Sequence, residues 1–64
     1  MEKNLFSNDE AADFLGVSPT TLPRWRWSNV GPNFIRLGRT IKYRREDLQA
    51  FIDGNLVKTK AAVL

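Results

Sequence analysis

The first part of the chain carries apolar residues at the spacing of a helix. Ser7-Asn8-Asp9-Glu10 has the Ser-x-x-Glu form of a capping box, in which the serine and glutamate side chains each accept a backbone N–H. Gly16 can adopt the left-handed conformation that ends a helix. The pattern predicts a helix of about two turns from Asn8 to Gly16. The apolar face of this helix consists of Ala11, Ala12, Phe14 and Leu15. Phe6, which precedes the cap, can fold onto that face.

A second helix is predicted directly after this one. Ser18 is a suitable N-cap, and Pro19 suits the first helical position, where a missing N–H is harmless. Pro23 conflicts with that start, because at the fifth helical position it would delete the hydrogen bond to the carbonyl of Pro19. The helix therefore either has a distorted first turn or begins later, at Thr20 or Thr21. The pattern leaves both alternatives open.

The second helix is predicted to have one core-facing side and one outward side. At 100° per residue, Leu22 and Trp25 share a face. Thr20, Arg24 and Trp27 point the opposite way. We expect the first face to pack in the core and the second to be available for contacts.

Two short alternating segments follow, at residues 34–37 and 41–44. They predict two strands joined by a turn at Gly38-Arg39, which Thr40 can extend. A common inward face is expected for the apolar residues of both strands, Ile35, Leu37, Ile41 and Tyr43. The outward face is then basic, with Arg36, Lys42 and Arg44.

A third helix is predicted to begin at Arg45 and to be stopped by Gly54. Glu46 and Asp47 lie in its first turn, where the helix dipole favours acids, and its core-facing stripe consists of Leu48, Phe51 and Ile52. Residues 55–64 show no periodicity, so we expect a domain over residues 1–54 and a mobile C-terminal tail. The order helix, helix, strand, strand, helix predicts an α+β fold, a small winged helix-turn-helix.

Charge is segregated along the chain. Seven of the ten Lys and Arg residues lie between Arg24 and Arg45, and none of the seven carboxylates does. Solvated surfaces usually mix the two signs, whereas a protein that neutralises phosphates gains by clustering its cations. The block therefore indicates a nucleic-acid partner.

The composition argues against most other functions. With 64 residues, the chain is one small domain without room for a deep substrate cavity. It has neither His nor Cys, which removes the commonest general base, nucleophile and metal ligands. Its glycines are spaced between elements and do not form a phosphate-binding loop. We expect a non-enzymatic cytoplasmic protein with no cofactor, no metal and no membrane segment.

Several motifs together resemble the small excisionase and AlpA-like regulators of phages and mobile elements. The resemblance covers residues 5–53 and rests on Glu10-Ala11-Ala12-Asp13-Phe14-Leu15-Gly16-Val17-Ser18, Thr21-Leu22, Arg24-Trp25, Gly31-Pro32, Phe34-Ile35-Arg36-Leu37-Gly38-Arg39 and Tyr43-Arg44-Arg45-Glu46-Asp47-Leu48. It implies a double-stranded DNA-binding protein that directs site-specific recombination or regulates transcription. It further implies cooperative binding of several copies to adjacent sites, DNA bending, and an integrase or recombinase as a partner.

In that family the second helix lies in the major groove and the hairpin wing reaches the minor groove. The resemblance carries these roles to Thr20, Thr21, Arg24 and Arg26 on the helix and to Arg39 at the wing tip. Pro23 departs from the helix-forming residue that the family usually has there. The full set of candidate DNA-contacting residues is Ser18, Thr20, Thr21, Arg24, Arg26, Trp27, Arg36, Arg39, Thr40, Lys42, Arg44 and Arg45.

Some of these candidates have a competing interpretation. Arg26 either contacts a phosphate or pairs within the protein, with Glu10 or Asp13. Arg44 either binds DNA or pairs with Glu46 or Asp47. Trp27 either contacts the DNA backbone, the wing or a protein, or is partly buried under the Gly31-Pro32 loop. Arg39 is either a DNA contact or a solvated turn residue, whereas Lys42 and Arg45 are predicted to bind phosphates.

Two other functions share part of the pattern. A DNA-packaging recognition module of the small-terminase kind has this fold, but it normally belongs to a longer chain with an assembly segment. A protein-interaction module, such as an antirepressor, would instead dock its arginine-rich face on an acidic partner. Duplex DNA should displace that partner only if both bind the same face.

Overall fold

The structure is a computed structural model that describes residues 4–58. Its elements in chain order are β1 (Leu5–Phe6), α1 (Asn8–Leu15), α2 (Thr21–Trp27), β2 (Ile35–Leu37), β3 (Thr40–Arg44) and α3 (Arg45–Gly54). The three strands form an antiparallel sheet in the order β1-β3-β2. The predicted α+β fold and its order of helix, helix, strand, strand, helix are confirmed.

The first strand was not predicted. In β1, Phe6 lies opposite Tyr43 and Leu5 lies opposite Arg44 of β3. The Phe6 ring is buried and packs edge-on against Phe14 of α1, with ring centroids 5.4 Å apart, so its predicted contact with the first helix is confirmed. Two residues are too few to show an alternating pattern, which is why the strand escapes sequence analysis.

The first helix follows its local signals. The Glu10 N–H donates to Ser7 Oγ at 3.2 Å, and the Ser7 N–H donates to Glu10 Oε1 at 2.9 Å, which completes the predicted capping box. The helix ends at Leu15, and Gly16 takes the left-handed conformation with φ 75°. Both predicted ends of α1 are therefore confirmed.

The second helix begins at Thr21, so the later of the two predicted starts is correct. Ser18 is not its N-cap and Pro19 is not its first residue, because Thr20 occupies the cap position, without a side-chain capping bond. Pro23 is then the third helical residue, whose N–H would have no partner within a helix in any case. A proline at this position removes no hydrogen bond, and the helix needs no distortion.

The hairpin register corrects the predicted faces of the wing. The two-residue turn at Gly38-Arg39 places Leu37 opposite Thr40. Each odd-numbered residue of β2 therefore lies opposite an even-numbered residue of β3, and each even-numbered residue of β2 opposite an odd-numbered one. Paired residues of an antiparallel ladder point to the same side of the sheet. Ile41 and Tyr43 therefore cannot share a face with Ile35 and Leu37, and the predicted common apolar face is wrong.

The register assigns the wing side chains to two faces. Tyr43 lies opposite the buried Phe6 and marks the core face, which it shares with Ile41 and Arg36. Ile35, Leu37, Lys42 and Arg44 occupy the other face. Leu37 is 54% exposed, contrary to the inward position predicted for it. The wing consequently carries Arg36 on one face and Lys42 on the other.

The core lies where the sheet meets the helices. Its buried residues are Phe6, Ala11, Ala12, Leu22, Tyr43 and Leu48, with Phe14, Leu15, Val17, Trp25 and Ile41 packed around them. The third helix begins at Arg45 as predicted, with Leu48 buried and Phe51 half-buried. It includes Gly54, which does not adopt a positive φ, and Asn55 is its C-cap, so the predicted stop lies one residue too early. Ile52 is 38% exposed, so it does not complete the predicted apolar stripe.

Beyond α3, residues 56–58 belong to no helix or strand. The remainder of the predicted tail, residues 59–64, lies outside the described residues. Between residues 4 and 58, no helix is long and apolar enough to cross a membrane.

Candidate nucleic-acid interface

The second helix is held to the core by one face and leaves the other open. Leu22 is fully buried, and the Trp25 ring packs against Phe51 of α3 with centroids 5.3 Å apart. Arg24 and Trp27 are exposed on the opposite side, as the helical spacing predicted. The face that α2 turns outward thus carries a cation and an indole ring.

The loop after α2 closes over Trp25. The Val30 N–H donates to the Trp25 carbonyl at 2.9 Å, and Gly31 has φ +90°. A Cβ on Gly31 would lie 2.9 Å from Trp25 Cε3, so only glycine lets the backbone approach this ring. The predicted core position of Trp25 is confirmed. The alternative that placed Trp27 under this loop is wrong, because Trp27 is 91% exposed.

Arg26 is committed to contacts inside the protein. Its Nη1 donates to Asn8 Oδ1 at 2.9 Å and to the Tyr43 hydroxyl at 2.7 Å. Its guanidinium also lies 5.8 Å from the centroid of the Phe34 ring, within the range of a cation–π contact. The amide of Asn8 in turn donates to the Pro19 carbonyl at 3.0 Å.

We call Asn8, Pro19, Arg26 and Tyr43 the Arg26 junction. It links the start of α1, the turn before α2, α2 itself and the wing. The sequence left Arg26 with either a phosphate contact or an internal pair with Glu10 or Asp13. The structure shows internal partners, but they are Asn8 and Tyr43. Arg26 lies on the side of α2 that faces the first residue of α1, and so it meets Asn8.

Arg44 is also engaged within the protein. Its Nε and Nη2 donate to the two carboxylate oxygens of Asp47 at 2.7 and 3.0 Å, and Nη1 lies 3.5 Å from Glu46 Oε2. The hydrogen bond and charge of Asp47, followed by the charge of Glu46, raise the pKa of Arg44 above its ordinary value. Of the two alternatives for Arg44, the structure shows the pairing with these acids. Its charge is therefore largely offset locally.

Arg45 lies on the β1 side of the molecule. Its guanidinium is 5.3 Å from the centroid of the Phe6 ring and 5.8 Å from that of Phe14. It therefore covers the aromatic pair that joins β1 to α1, although its side chain remains exposed. This position separates Arg45 from the turn at the wing tip.

The other cations of the block are not engaged by the protein. Within residues 4–58, the side chains of Arg24, Arg36, Arg39 and Lys42 make no hydrogen bond, ion pair or ring contact. The three arginines are exposed and Lys42 is half-buried. Arg39 and Thr40 are exposed at the hairpin turn, where Gly38 has φ 63°. The chemistry open to these four cations is the binding of anions.

The hydroxyl candidates surround the start of α2. Ser18 Oγ lies 3.0 Å from Thr20 Oγ1 and accepts the Thr20 N–H at 3.4 Å, and both side chains are exposed. Thr21, the first residue of α2, is half-buried. Of the two threonines at the start of α2, Thr20 is therefore the more exposed.

Sequence analysis missed two features of this region. Asn8 had no predicted role, because its contact with Arg26 spans 18 residues of chain. An open cavity of about 320 Å³ also lies between Arg26 and residues 29–34. Across the described part of the chain, no group of three or more His, Cys, Asp or Glu side chains is placed to hold a metal ion.

Two helices joined by a tight turn, a basic wing and an exposed, cationic second helix define a helix-turn-helix protein that binds DNA. Residues 5–56 match the family model described as a helix-turn-helix domain. The match covers more than half of the chain, and the protein belongs to this family of AlpA- and excisionase-like small DNA-binding proteins. No curated protein shows significant similarity to it.

Proposed function

We propose that this protein binds double-stranded DNA sequence-specifically, with α2 in the major groove and the β2–β3 wing in the adjacent minor groove. The proposal rests on the four cations of α2 and the wing, Arg24, Arg36, Arg39 and Lys42. Their side chains make no hydrogen bond, ion pair or ring contact with any other described residue. No carboxylate lies between Arg24 and Arg45 in the sequence. A segment of this kind attracts a polyanion and contains no acid to repel it.

Arg24 is the residue we expect to read a base. It projects from the outer face of α2, and no residue between 4 and 58 engages its side chain. A guanidinium in the major groove can donate two hydrogen bonds to O6 and N7 of guanine, the commonest specific contact. Ser18, Thr20 and Thr21 at the start of the helix suit hydrogen bonds to phosphate oxygens.

Arg39 is the residue we expect in the minor groove. It occupies the tip of a narrow hairpin, and a narrow minor groove has an enhanced negative potential that attracts arginine. Arg36 and Lys42 lie on opposite faces of the same hairpin. They are therefore suited to phosphates on the two sides of the groove, with Thr40 beside the tip.

The biological role we propose follows the family. The protein acts in the cytoplasm as an excisionase-like directionality factor or as an AlpA-like regulator of transcription. Copies bind cooperatively at adjacent sites, and a recombinase is the partner in the first case. Membership of the helix-turn-helix family supports DNA binding as the common basis of both roles.

A binding selection tests the proposal. The protein is incubated with randomised duplex DNA at near-physiological salt, and the retained duplexes are sequenced. A short motif, repeated at about one helical turn, is the expected result for cooperative, sequence-specific binding. Retention without a motif contradicts sequence-specific reading. Failure to retain DNA contradicts the proposal as a whole and favours a protein partner.

A further inference from the structure

Trp27 is exposed to an extent that is unusual for this residue type. Tryptophan supplies much of the apolar area that a small domain can bury, yet 91% of Trp27 is in solvent. Trp25, two residues earlier, packs against Phe51 and under Gly31. No ring within the described chain contacts Trp27. The core is therefore within reach of α2, and Trp27 is directed away from it.

Trp27 does not stand alone on its face. Pro23 precedes it by four residues and Arg24 by three, so all three project from the same side of α2, and all three are exposed. Along a helix axis, three residues correspond to about 4.5 Å. Base pairs are about 3.4 Å apart. A helix that brings Arg24 to one base pair thus brings Trp27 to a neighbouring one.

We propose that Trp27, supported by Pro23, recognises the 5-methyl group of a thymine next to the guanine that Arg24 contacts. This inference rests on the proposed function, because it assumes that α2 lies in the major groove. In that groove the thymine methyl is the one apolar group among the base edges. The other edges present donors and acceptors, which the carbon atoms of the indole and proline rings would desolvate without pairing them, and the single indole N–H could pair only one acceptor.

The charge around Trp27 favours DNA as the occupant of this face. Arg24 lies beside it, and the chain from Arg24 to Arg45 has no carboxylate. An apolar protein partner would have to leave the guanidinium of Arg24 unpaired, whereas a DNA groove supplies acceptors for Arg24 and a methyl group for Trp27 together.

Replacing thymidine by deoxyuridine tests the inference, because it removes the methyl group and leaves base pairing intact. In the selected site, each thymine within two base pairs of the Arg24-dependent guanine is replaced singly. For the wild-type protein, we expect one replacement to weaken binding about three- to four-fold. This is the change in affinity that corresponds to the free energy of burying one methyl group. Trp27→Ala should bind the thymine site more weakly and should not distinguish it from the deoxyuridine site.

Two controls isolate the effect. Val57→Ala removes another exposed apolar side chain, outside α2 and the wing, and should keep the full response to deoxyuridine. The slope of log affinity against log salt should be the same for wild type and Trp27→Ala, since no charge changes. Thermal unfolding should also be unchanged in Trp27→Ala, because its side chain has little to lose on the surface.

The outcomes separate this inference from the proposed function. Equal sensitivity of wild type and Trp27→Ala to deoxyuridine overturns the inference but leaves specific DNA binding intact. So does a selected site with no thymine near that guanine, or the absence of any response to deoxyuridine. Failure of the wild-type protein to bind any duplex overturns the proposed function itself.

Discussion

Four arginines from one basic block fall into two pairs with different surroundings. Arg24 and Arg39 project from α2 and from the wing tip, and their side chains make no hydrogen bond, ion pair or ring contact with residues 4–58. Arg26 and Arg44 are bound by neighbours, Arg26 in the Arg26 junction and Arg44 in its pair with Asp47. We call them the outward pair and the structural pair.

The difference between the pairs shows what charge along a sequence can and cannot indicate. All four residues contribute to the segregation that indicates DNA, but only the outward pair is free to contribute to binding at no internal cost. A structural arginine would have to give up its hydrogen bonds before it could bind a phosphate. The effective charge of the interface is therefore smaller than the sequence suggests. With Arg24, Arg36, Arg39 and Lys42 each neutralising one phosphate, log affinity should fall against log salt with a slope of about −3 to −4.

The largest effect that we expect comes from Arg26→Met. Methionine keeps an unbranched side chain but cannot donate to Asn8 or to the buried Tyr43 hydroxyl. Loss of these charge-assisted bonds should lower the free energy of unfolding by about 2–3 kcal/mol, and the melting temperature by roughly 10 °C. Thermal and urea unfolding measure both quantities.

The matched control is Arg24→Met, which makes the same chemical change in the outward pair. Its stability should stay within about 0.5 kcal/mol of the wild-type value, because an exposed side chain without partners is removed. Equal destabilisation of both variants would show that the division into two pairs is wrong.

Arg24→Ala should have the next largest effect, and on DNA binding alone. We expect a loss of about 1–3 kcal/mol in binding to the selected site, with relaxed preference at one base pair. Titration of the selected duplex and of single-base variants measures both effects. Arg26→Met, assayed well below its melting temperature, should keep both the base preference and the salt slope. A lower slope in Arg26→Met would place Arg26 on the DNA and not in the structural pair.

Arg39→Ala should have a smaller, sequence-independent effect. Removing one cation at the wing tip should reduce the magnitude of the salt slope by about one, on specific and unrelated duplexes alike. Arg39→Lys is its control, because it keeps the charge and should keep the slope. If Arg39→Ala binds with unchanged affinity at every salt concentration, Arg39 is a solvated turn residue and the wing does not reach the DNA.

The features of the fold that could be predicted from the sequence are those set by residues close together in the chain. The capping box of α1 and the acidic start of α3 lie within a few residues, and both helices follow them. The start of α2 is set partly at a distance, by Asn8, which binds the Pro19 carbonyl. The sequence showed the alternation of apolar and basic residues in each wing strand. Which residues of the two strands share a face depends on the register, and the two-residue turn fixes that register.

The same distinction applies to the candidate site. Arg44 and Asp47 are three residues apart, and their pairing was one of the two alternatives that the sequence offered for Arg44. Arg26 and its partners are 17 and 18 residues apart, and the sequence identified neither of those partners. Helical spacing placed Arg24 and Trp27 on the outward side of α2, but it left open a partial burial of Trp27 under the Gly31-Pro32 loop.

The smallest effect that we expect comes from Asp47→Asn, which releases one member of the structural pair. The Arg44–Asp47 pair lies near the surface, where such pairs contribute little to stability. The raised pKa of Arg44 means that its contribution is present throughout the neutral range and is lost only at strongly alkaline pH, as the pH rises through that pKa. Unfolding between about pH 6 and 9 should therefore show no pH dependence from Arg44.

DNA binding provides the sharper test of this variant. Asp47→Asn leaves Arg44 with Glu46 alone and raises the net charge by one, so affinity for unrelated duplex DNA should increase slightly. Asp53→Asn changes the net charge equally near the end of α3, and serves as the control for charge alone. A gain larger than that of the control indicates that Arg44 is held back from DNA by Asp47. Equal gains in both variants would mean that Arg44 lies too far from the interface to bind, even when it is released.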